Sequence, residues 1–307
     1  MQLFLQQLVN GIVLGATYGL VALGYTMVYG IVQLINFAHG EIYMLGGFGA
    51  LFTYTVLLPA GTPTGVALVL MLLGGMVVSI TAAVVMERFA YRPLRGAPRL
   101  APLITALGVS IFLQELVRNF YTAKSPRPFP QLIDPTYQVQ LGGGVTISLP
   151  KLVTVTAAVL GMVALSSFVR KSRTGRAMQA TAQDPDTARL MGIDTDRIIV
   201  TAFVLGAALA AISGLSNGLQ FGQVDPRMGA LTGVKAFTAA VLGGIGNISG
   251  AVLGGFILGI VEVMATQYAP SPLSGGAWAQ AWGFVVLILV LVFRPYGLLG
   301  ERVAARA

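Results

Sequence analysis

This chain of 307 residues has no cysteine, one histidine and four lysines. Without cysteine there is no disulfide framework and no thiolate metal site. His39 stands without a set of ligand-type neighbours, so no metal cluster is readable around it. The lysines, Lys124, Lys151, Lys171 and Lys235, never follow a glycine. That removes the G-x-x-x-x-G-K-[ST] loop that cradles nucleotide phosphates, so ATP hydrolysis by this chain is not expected. No Ser-His-Asp arrangement and no paired carboxylates can be read from it, which argues against an enzyme. Charge is scarce, with 10% charged residues against about 25% in soluble domains. The first 87 residues contain neither lysine nor arginine, so charge cannot orient the N-terminus.

What fills the chain is apolar sequence. It is 55% hydrophobic, with a mean hydropathy of +0.80, and several apolar runs approach or exceed the roughly 20 residues that span a bilayer core. The chain reads as an all-α polytopic membrane protein with about eight hydrophobic segments: residues 8–29, 40–58, 64–86, 102–121, 152–169, 198–221, a long segment 230–265, and 277–293. The first run lacks a basic stretch before it and a cleavage site after it, so it is expected to be a retained span.

The net charge of +8 could point to nucleic acid, but its distribution points elsewhere. Thirteen of the nineteen basic residues lie in three short polar segments: Arg88, Arg92, Arg95 and Arg99; Arg170, Lys171, Arg173, Arg176, Arg189 and Arg197; and Arg294, Arg302 and Arg306. This is the positive-inside pattern, which places those segments in the cytoplasm. The Pro- and Gly-rich segment 122–150, poor in charge, then faces outward.

Parity constrains the long segment. With 170–197 and the C-terminus inside, residues 230–265 must begin and end on the outer side. Thirty-six residues would form a helix of about 54 Å, against a core of about 30 Å. A hairpin of two helices is expected, broken at Gly243-Gly244-Ile245-Gly246-Asn247. Broken helices survive at membrane depth only where buried in protein or lining a cavity, which places this hairpin near the transport path. Residues 30–40 (GIVQLINFAHG), with Asn36 and His39 and followed by Glu41, read either as a cytoplasmic turn or as a re-entrant break. Glycines at spacing four (Gly11, Gly15, Gly19; Gly246, Gly250, Gly254; Gly255, Gly259) predict close helix packing without implying contact with cargo.

Ionisable residues within or beside spans are Glu41, Glu115, Arg118, Lys235 and Glu262. Such groups are costly in lipid and are functional candidates by default. Glu115 and Arg118 can pair with each other, three apart on one helix. Lys235 and Glu262 lie toward the ends of their segments and are expected to reach the interface. Glu41, with His39 and Asn36, is the cluster nearest a possible break; helix capping or interhelical hydrogen bonding would also account for it.

One polar island interrupts the spans: residues 175–197 (GRAMQATAQDPDTARLMGIDTDR). It carries the signals of a short helix. Asp184 is a good N-cap, Pro185 fits the first helical position, and Asp186 adds negative charge in the first turn. Arg189 falls in the last turn and Gly192 beyond it. A capped helix outside the bilayer suits a docking site for a soluble partner; a solvated connector is the plainer alternative.

Three stretches carry a resemblance: GATYGLVALGYTMVYGIVQLINFAHGEIYMLGGF, GRAMQATAQDPDTARLMGIDTDR and AFTAAVLGGIGNISGAVLGGFILGIVE. Together they resemble the branched-chain amino-acid permeases of bacterial ABC importers, closer to the H-type subunit than to its M-type partner, over essentially the whole chain. The resemblance implies a single transmembrane permease domain over 1–307, a type II-like importer bundle, with a cytoplasmic coupling loop at 170–197. It implies a second related permease, two cytoplasmic ATP-binding subunits that bind ATP and magnesium, a periplasmic substrate-binding protein, and a place in the bacterial inner membrane. It implies no cofactor in this chain and no nucleic-acid partner.

Carried onto these residues, the coupling element includes Asp184, Pro185, Arg189 and Gly192, with Ala188, Leu190, Met191 and Ile193 as its apolar face. Asn36, His39, Glu41, Gly243, Gly244, Gly246 and Asn247 are the candidate pathway residues. Relatives of this pattern also serve urea and short amides, and a stand-alone secondary transporter or a membrane scaffold are readings of other classes. The capped island disfavours the stand-alone carrier, and no reaction centre supports an enzyme subunit.

Overall fold

The structure is a computed structural model, and it describes residues 1–34, 36–98, 100–121, 126–134, 136–271 and 273–300. Of the sequence-based expectations, Arg99, Arg302, Arg306, Lys124 and part of the outward segment 122–150 lie outside the described residues. Eleven α-helices make the architecture among the described residues: α1 (Gln2–Val32), α2 (His39–Phe52), α3 (Thr64–Met86), α4 (Leu100–Phe120), α5 (Leu149–Lys171), α6 (Arg173–Gln183), α7 (Pro185–Leu190), α8 (Thr195–Phe221), α9 (Met228–Gly243), α10 (Ile248–Tyr268) and α11 (Gly276–Phe293). α2 runs on into a π turn, Thr53–Leu57, and α3 into a second, Glu87–Tyr91, followed by a 3-10 turn, Arg92–Leu94. Six helices among the described residues are long and apolar enough to cross a membrane: Gln2–Val32, Thr64–Leu94, Leu100–Phe120, Leu149–Lys171, Thr195–Phe221 and Ile248–Tyr268.

α1 is the central post. It is apolar on every side, the pattern of a helix buried in a membrane bundle, and almost every residue from Gly11 to Val28 is buried. It packs against α8, α5, α9 and, most extensively, α10. The α10 contact runs along the spaced glycines. A Cβ on Gly15 would lie 2.6 Å from the Gly255 carbonyl oxygen and from Phe256 Cα, and one on Gly11 would lie 2.7 Å from Ile260 Cα. Backbone meets backbone, which only glycine allows at this distance. By contrast α3, α4 and α5 bury small shares of their surface and turn Leu73, Val77, Ile111, Phe112, Leu160 and Val163 outward, as lipid-facing or partner-facing helices do.

The N-terminus, which charge could not orient, is fixed by contacts. Gln2 Nε2 donates to the Gly144 carbonyl at 2.9 Å, and Gln6 exchanges two hydrogen bonds with Thr146 at 2.9 and 3.0 Å. Both partners belong to a hairpin of β2 (Gln138–Gly142) and β3 (Val145–Ser148) in the outward segment. Its turn runs through Gly142, Gly143 and Gly144, all at positive φ. A second antiparallel pair ties β1 (Arg127–Pro128) to β4 (Gln223–Val224), between α8 and α9. These strands escaped the sequence reading because they are short and glycine-flanked. The start of α1 thus lies on the same side of the bundle as the β2–β3 hairpin.

The second apolar run, expected as a span over 40–58, is continuous helix over 39–57, α2 running on into its π turn, and it starts inside the bundle. Its first residue, His39, packs against Gly24 of α1 and Gly206 of α8, both well inside their helices. The join between α1, which ends at Val32, and α2, which starts at His39, is therefore a re-entrant break and not a cytoplasmic turn; Ile35 lies outside the described residues. Gln33 stops α1 in the left-handed conformation (φ 54°), its N–H bonded to Tyr29 O at 2.8 Å.

Residues 230–265 form the expected two-helix hairpin, α9 and α10, parted at 244–247, but the break is not at mid-depth. Leu298 and Leu299, just past α11, donate their N–H groups to Leu242 O and Gly243 O at 2.9 Å each. The break therefore sits level with the inner end of α11. The hairpin termini at membrane depth are instead at the start of α9, where Gly229 and Gly233 lie against Gly40 of α2.

Gly15→Val is expected to lower the stability of the detergent-solubilised protein by about 1–3 kcal/mol through overpacking. Gly108→Ala, whose Cβ meets nothing within 4 Å, is expected to leave the thermal unfolding midpoint unchanged or slightly higher.

Candidate functional site

The polar island is two helices, not one. Ser172 caps α6, its side chain accepting from Gly175 N–H at 2.8 Å. α6 turns Gly175, Met178 and Thr181 inward, three residues apart, against α1, α5 and α8. The sequence reading missed α6, although its buried positions Gly175, Met178 and Thr181 recur at helical spacing. α7 begins where its capping signals put it. Asp184 accepts from Asp186 N–H at 3.0 Å and from Thr187 N–H at 3.1 Å, with Pro185 next. At the other end Gly192 takes φ 84°, while its N–H reaches Arg189 O and that of Ile193 reaches Ala188 O, both at 3.0 Å. This is a closed left-handed cap. Arg189 Nε donates to Thr195 Oγ1 at 2.8 Å, tying α7 to the first turn of α8.

The proposed apolar face divides in two. Leu190 and Met191 are 87% and 78% exposed, whereas Ala188 is buried and Ile193 packs on the core. Ala188 and Ile193 therefore anchor the turn to the bundle, and Leu190 and Met191 alone present apolar surface. The hairpin lies at the end that carries Arg88, Arg92, Arg95, Arg170, Lys171, Arg173, Arg176, Arg197 and Arg294, the end the positive-inside rule assigns to the cytoplasm.

At membrane depth the structure brings Asn36, His39 and Glu41 together, all buried. Asn36 Oδ1 accepts from Tyr91 Oη at 2.8 Å. The His39 ring meets Tyr25 edge-on, centroids 4.9 Å apart. Glu41 Oε1 accepts from Ser110 Oγ at 2.9 Å and Gln114 Nε2 at 2.7 Å, both on α4. Its other oxygen lies against Gly229 in the first turn of α9. Glu41 is also in the first turn of its own helix, so its carboxylate faces two helix N-termini, each favouring negative charge. Among the described residues Glu41 Oε2 has no hydrogen-bond partner. Gly243, Gly244, Gly246 and Asn247 form a separate feature at the cytoplasmic end. Gly244 and Gly246 take φ 106° and 94°. Asn247 caps α10, accepting from Gly250 N–H at 2.9 Å, and its Nδ2 donates to Leu299 O at 2.9 Å.

Two further ion pairs involve the remaining ionisable residues of the spans, and only the first was legible as a pair in the sequence. Glu115 and Arg118 do pair, at 3.1 Å, on the exposed side of α4. Lys235 and Glu262 do not reach the interface. They pair with each other at 2.5 Å between α9 and α10, and Tyr18 of α1 joins both, at 3.0 Å from Lys235 Nζ and 2.9 Å from Glu262 Oε2. The sequence separates them by 27 residues, and only the hairpin places them face to face.

A buried central post, glycine seams, re-entrant helix starts and a capped helical hairpin outside the bilayer define a helical membrane permease. Residues 7–294 match the family described as branched-chain amino acid transport system / permease component, and the chain belongs to that family. It is 44% identical over 304 residues to the high-affinity branched-chain amino acid transport system permease protein BraD of Pseudomonas aeruginosa, covering 97% of this chain and 96% of that one. It is 44% identical over 301 residues to the permease protein LivH of Escherichia coli K12, again covering 97% and 96%. A more distant relative, the probable branched-chain amino acid transport permease protein LivH of Methanocaldococcus jannaschii, is 28% identical over 291 residues, covering 92% and 88%.

Lys235→Met and Glu262→Gln are each expected to destabilise the fold by on the order of 3 kcal/mol, since each strands a mostly buried charge or leaves its partner unmatched. The double variant is expected to recover most of that loss, as read by thermal unfolding in detergent. Asp184→Ala is expected to cost about 1 kcal/mol locally, seen as faster amide exchange across Pro185–Leu190 with the midpoint of global unfolding unchanged.

Proposed function

We propose that this permease is the H-type membrane subunit of an ABC importer that moves branched-chain amino acids across the bacterial inner membrane. In this reading it pairs with a second, related permease and rests on two cytoplasmic ATP-binding subunits. A periplasmic binding protein delivers the substrate to the outer face, where the β2–β3 hairpin and the α8–α9 connection lie. ATP and magnesium belong to the ATP-binding subunits, and this chain carries no cofactor of its own. Residues 1–307 act as one transmembrane domain whose segment 170–197 is the coupling element.

The observation that carries the reading is the exposure of Leu190 and Met191 on a helix capped at both ends. A helix of six residues is not stable alone in water, yet caps and buried contacts at Ala188 and Thr195 hold this one rigid. Two large apolar side chains held out from a rigid turn, beside a basic membrane surface, suit an apolar groove on a soluble subunit. Substrate choice by the binding protein leaves little for a tight site in the permease. A zwitterionic cargo needs polar groups for both its ends, and the break around Asn36, His39 and Glu41 offers such groups at membrane depth.

The test is uptake of radiolabelled leucine by proteoliposomes holding this chain with the permease, ATP-binding and binding-protein subunits encoded beside it. ATP-dependent uptake is expected in wild type. Leu190→Asp is expected to abolish it by about two orders of magnitude or more, as loss of an interface anchor does, and to release the ATP-binding subunits on co-purification without loss of expression. Uptake that persists without those subunits would instead make the chain a self-sufficient carrier. Transport of urea or amides but not leucine would keep the architecture and replace the substrate.

A further inference from the structure

A run of polar contacts, joined by two short stretches of backbone at Thr195–Asp196 and Glu87–Tyr91, links the cytoplasmic hairpin to the re-entrant break. It starts at Arg189 of α7, whose Nε donates to Thr195 Oγ1 at 2.8 Å. The neighbouring Asp196 pairs with Arg92 at 2.9 Å and also with Arg95. Both arginines turn on to Glu87, Arg95 in direct contact and Arg92 at 3.8 Å. Glu87 opens the π turn that closes on Tyr91. The Tyr91 ring packs on Phe203 of α8, centroids 5.7 Å apart, and its hydroxyl donates to Asn36 Oδ1 at 2.8 Å. The Asn36 carbonyl accepts the N–H of His39, the first residue of α2, at 3.0 Å.

Packing alone does not require these groups. α3 already rests on α8 and α2 through apolar and small side chains along its length. Phenylalanine would fill the volume of Tyr91. Glu87 is only 1% exposed, and a carboxylate so placed is costly unless paired, which is why two arginines converge on it. The segment between Glu87 and Tyr91 is a π turn, a form rare in helices and concentrated at functional sites. It has the α register available as an alternative, so it can switch between two arrangements without unfolding.

We infer that Glu87, Tyr91, Arg95 and Asp196 are positioning residues that carry movement of the cytoplasmic hairpin to the break before α2. The inference rests on the importer reading above. A displacement of α7 moves Thr195 and Asp196, because α7 is too short to move apart from its anchors. The ion cluster passes that displacement to the π turn, and Tyr91 passes it to Asn36 and so to the first turn of α2. Glu41 lies in that same turn, held to α4 by Ser110 and Gln114. Access at membrane depth thereby follows events at the cytoplasmic face.

The experiment uses the complete transporter in proteoliposomes, with leucine uptake and ATP hydrolysis measured on the same vesicles. Tyr91→Phe keeps the ring and removes the hydroxyl; Asp196→Asn removes the charge at the other end of the run. Each is expected to lower uptake per ATP hydrolysed about three- to thirtyfold, with hydrolysis within about twofold of wild type. Because both lie on one run, the double variant is expected to be no worse than the more severe single one. Glu87→Gln supplies a further point of interruption if either variant fails to assemble. Uptake per ATP equal to wild type in the single variants would overturn the inference. So would a double variant equal to the product of the two, or uptake and hydrolysis falling in proportion, which marks a structural role only. If the wild-type vesicles themselves show no ATP-dependent uptake, the importer reading fails first, and the inference falls with it.

Discussion

The close approach of α1 and α10 is the constraint on which the rest of this structure depends. Lipid offers no hydrophobic gain for joining two apolar helices, so association needs contact close enough for dispersion between backbones. Gly11, Gly15, Gly255 and Gly259 supply it by having no side chains to keep the helices apart. With that seam made, α1 becomes a fully enclosed post, and other helices can end against it. α2 and α9 both begin inside the bundle, beside Gly24, Gly40, Gly229 and Gly233. Their N-terminal turns lie within protein and not in hydrocarbon, where free N–H groups would go unsatisfied.

The polar groups at depth divide by role. Lys235, Glu262 and Tyr18 close on one another and bind the hairpin to the central post. Glu41 is held by α4 through Ser110 and Gln114, beside the starts of α2 and α9. Asn36 differs, because its partner Tyr91 belongs to a turn that also reaches the cytoplasmic ion cluster. Rigid helices carry the fold, while the re-entrant segment and the π turn supply the places where it can change. That division suits a permease, in which a stable frame must hold a switchable path.

The cytoplasmic hairpin shows the same economy. Its two helices are too short to stand alone, and each is held by a cap and by a few inward side chains. Ala188 and Ile193 look toward the bundle, and Leu190 and Met191 look away from it. Four neighbouring apolar residues thus do two different jobs, decided by the pitch of one turn of helix and by the left-handed residue that ends it.

Hydropathy alone determined that this chain is a helical membrane protein, because runs of twenty apolar residues have no other stable use. Arginine placement groups the basic loops at one end of the bundle, the end the positive-inside rule assigns to the cytoplasm. Asp184, Pro185 and Gly192 located α7, since caps act within a few residues of chain. Parity and length together required a hairpin over 230–265. Tertiary structure decided what depends on neighbours distant in sequence. It made the join of α1 and α2 a re-entrant break, because only packing against α8 and α9 lets a helix start at depth. It put the turn at 244–247 at the inner surface, where the chain after α11 covers it. It paired Lys235 with Glu262 and hid Ala188 while exposing Leu190. Local sequence specifies helices and their ends through short-range hydrogen bonds and periodicity. Which face of each helix is buried, and against what, is set by contacts between segments tens to hundreds of residues apart.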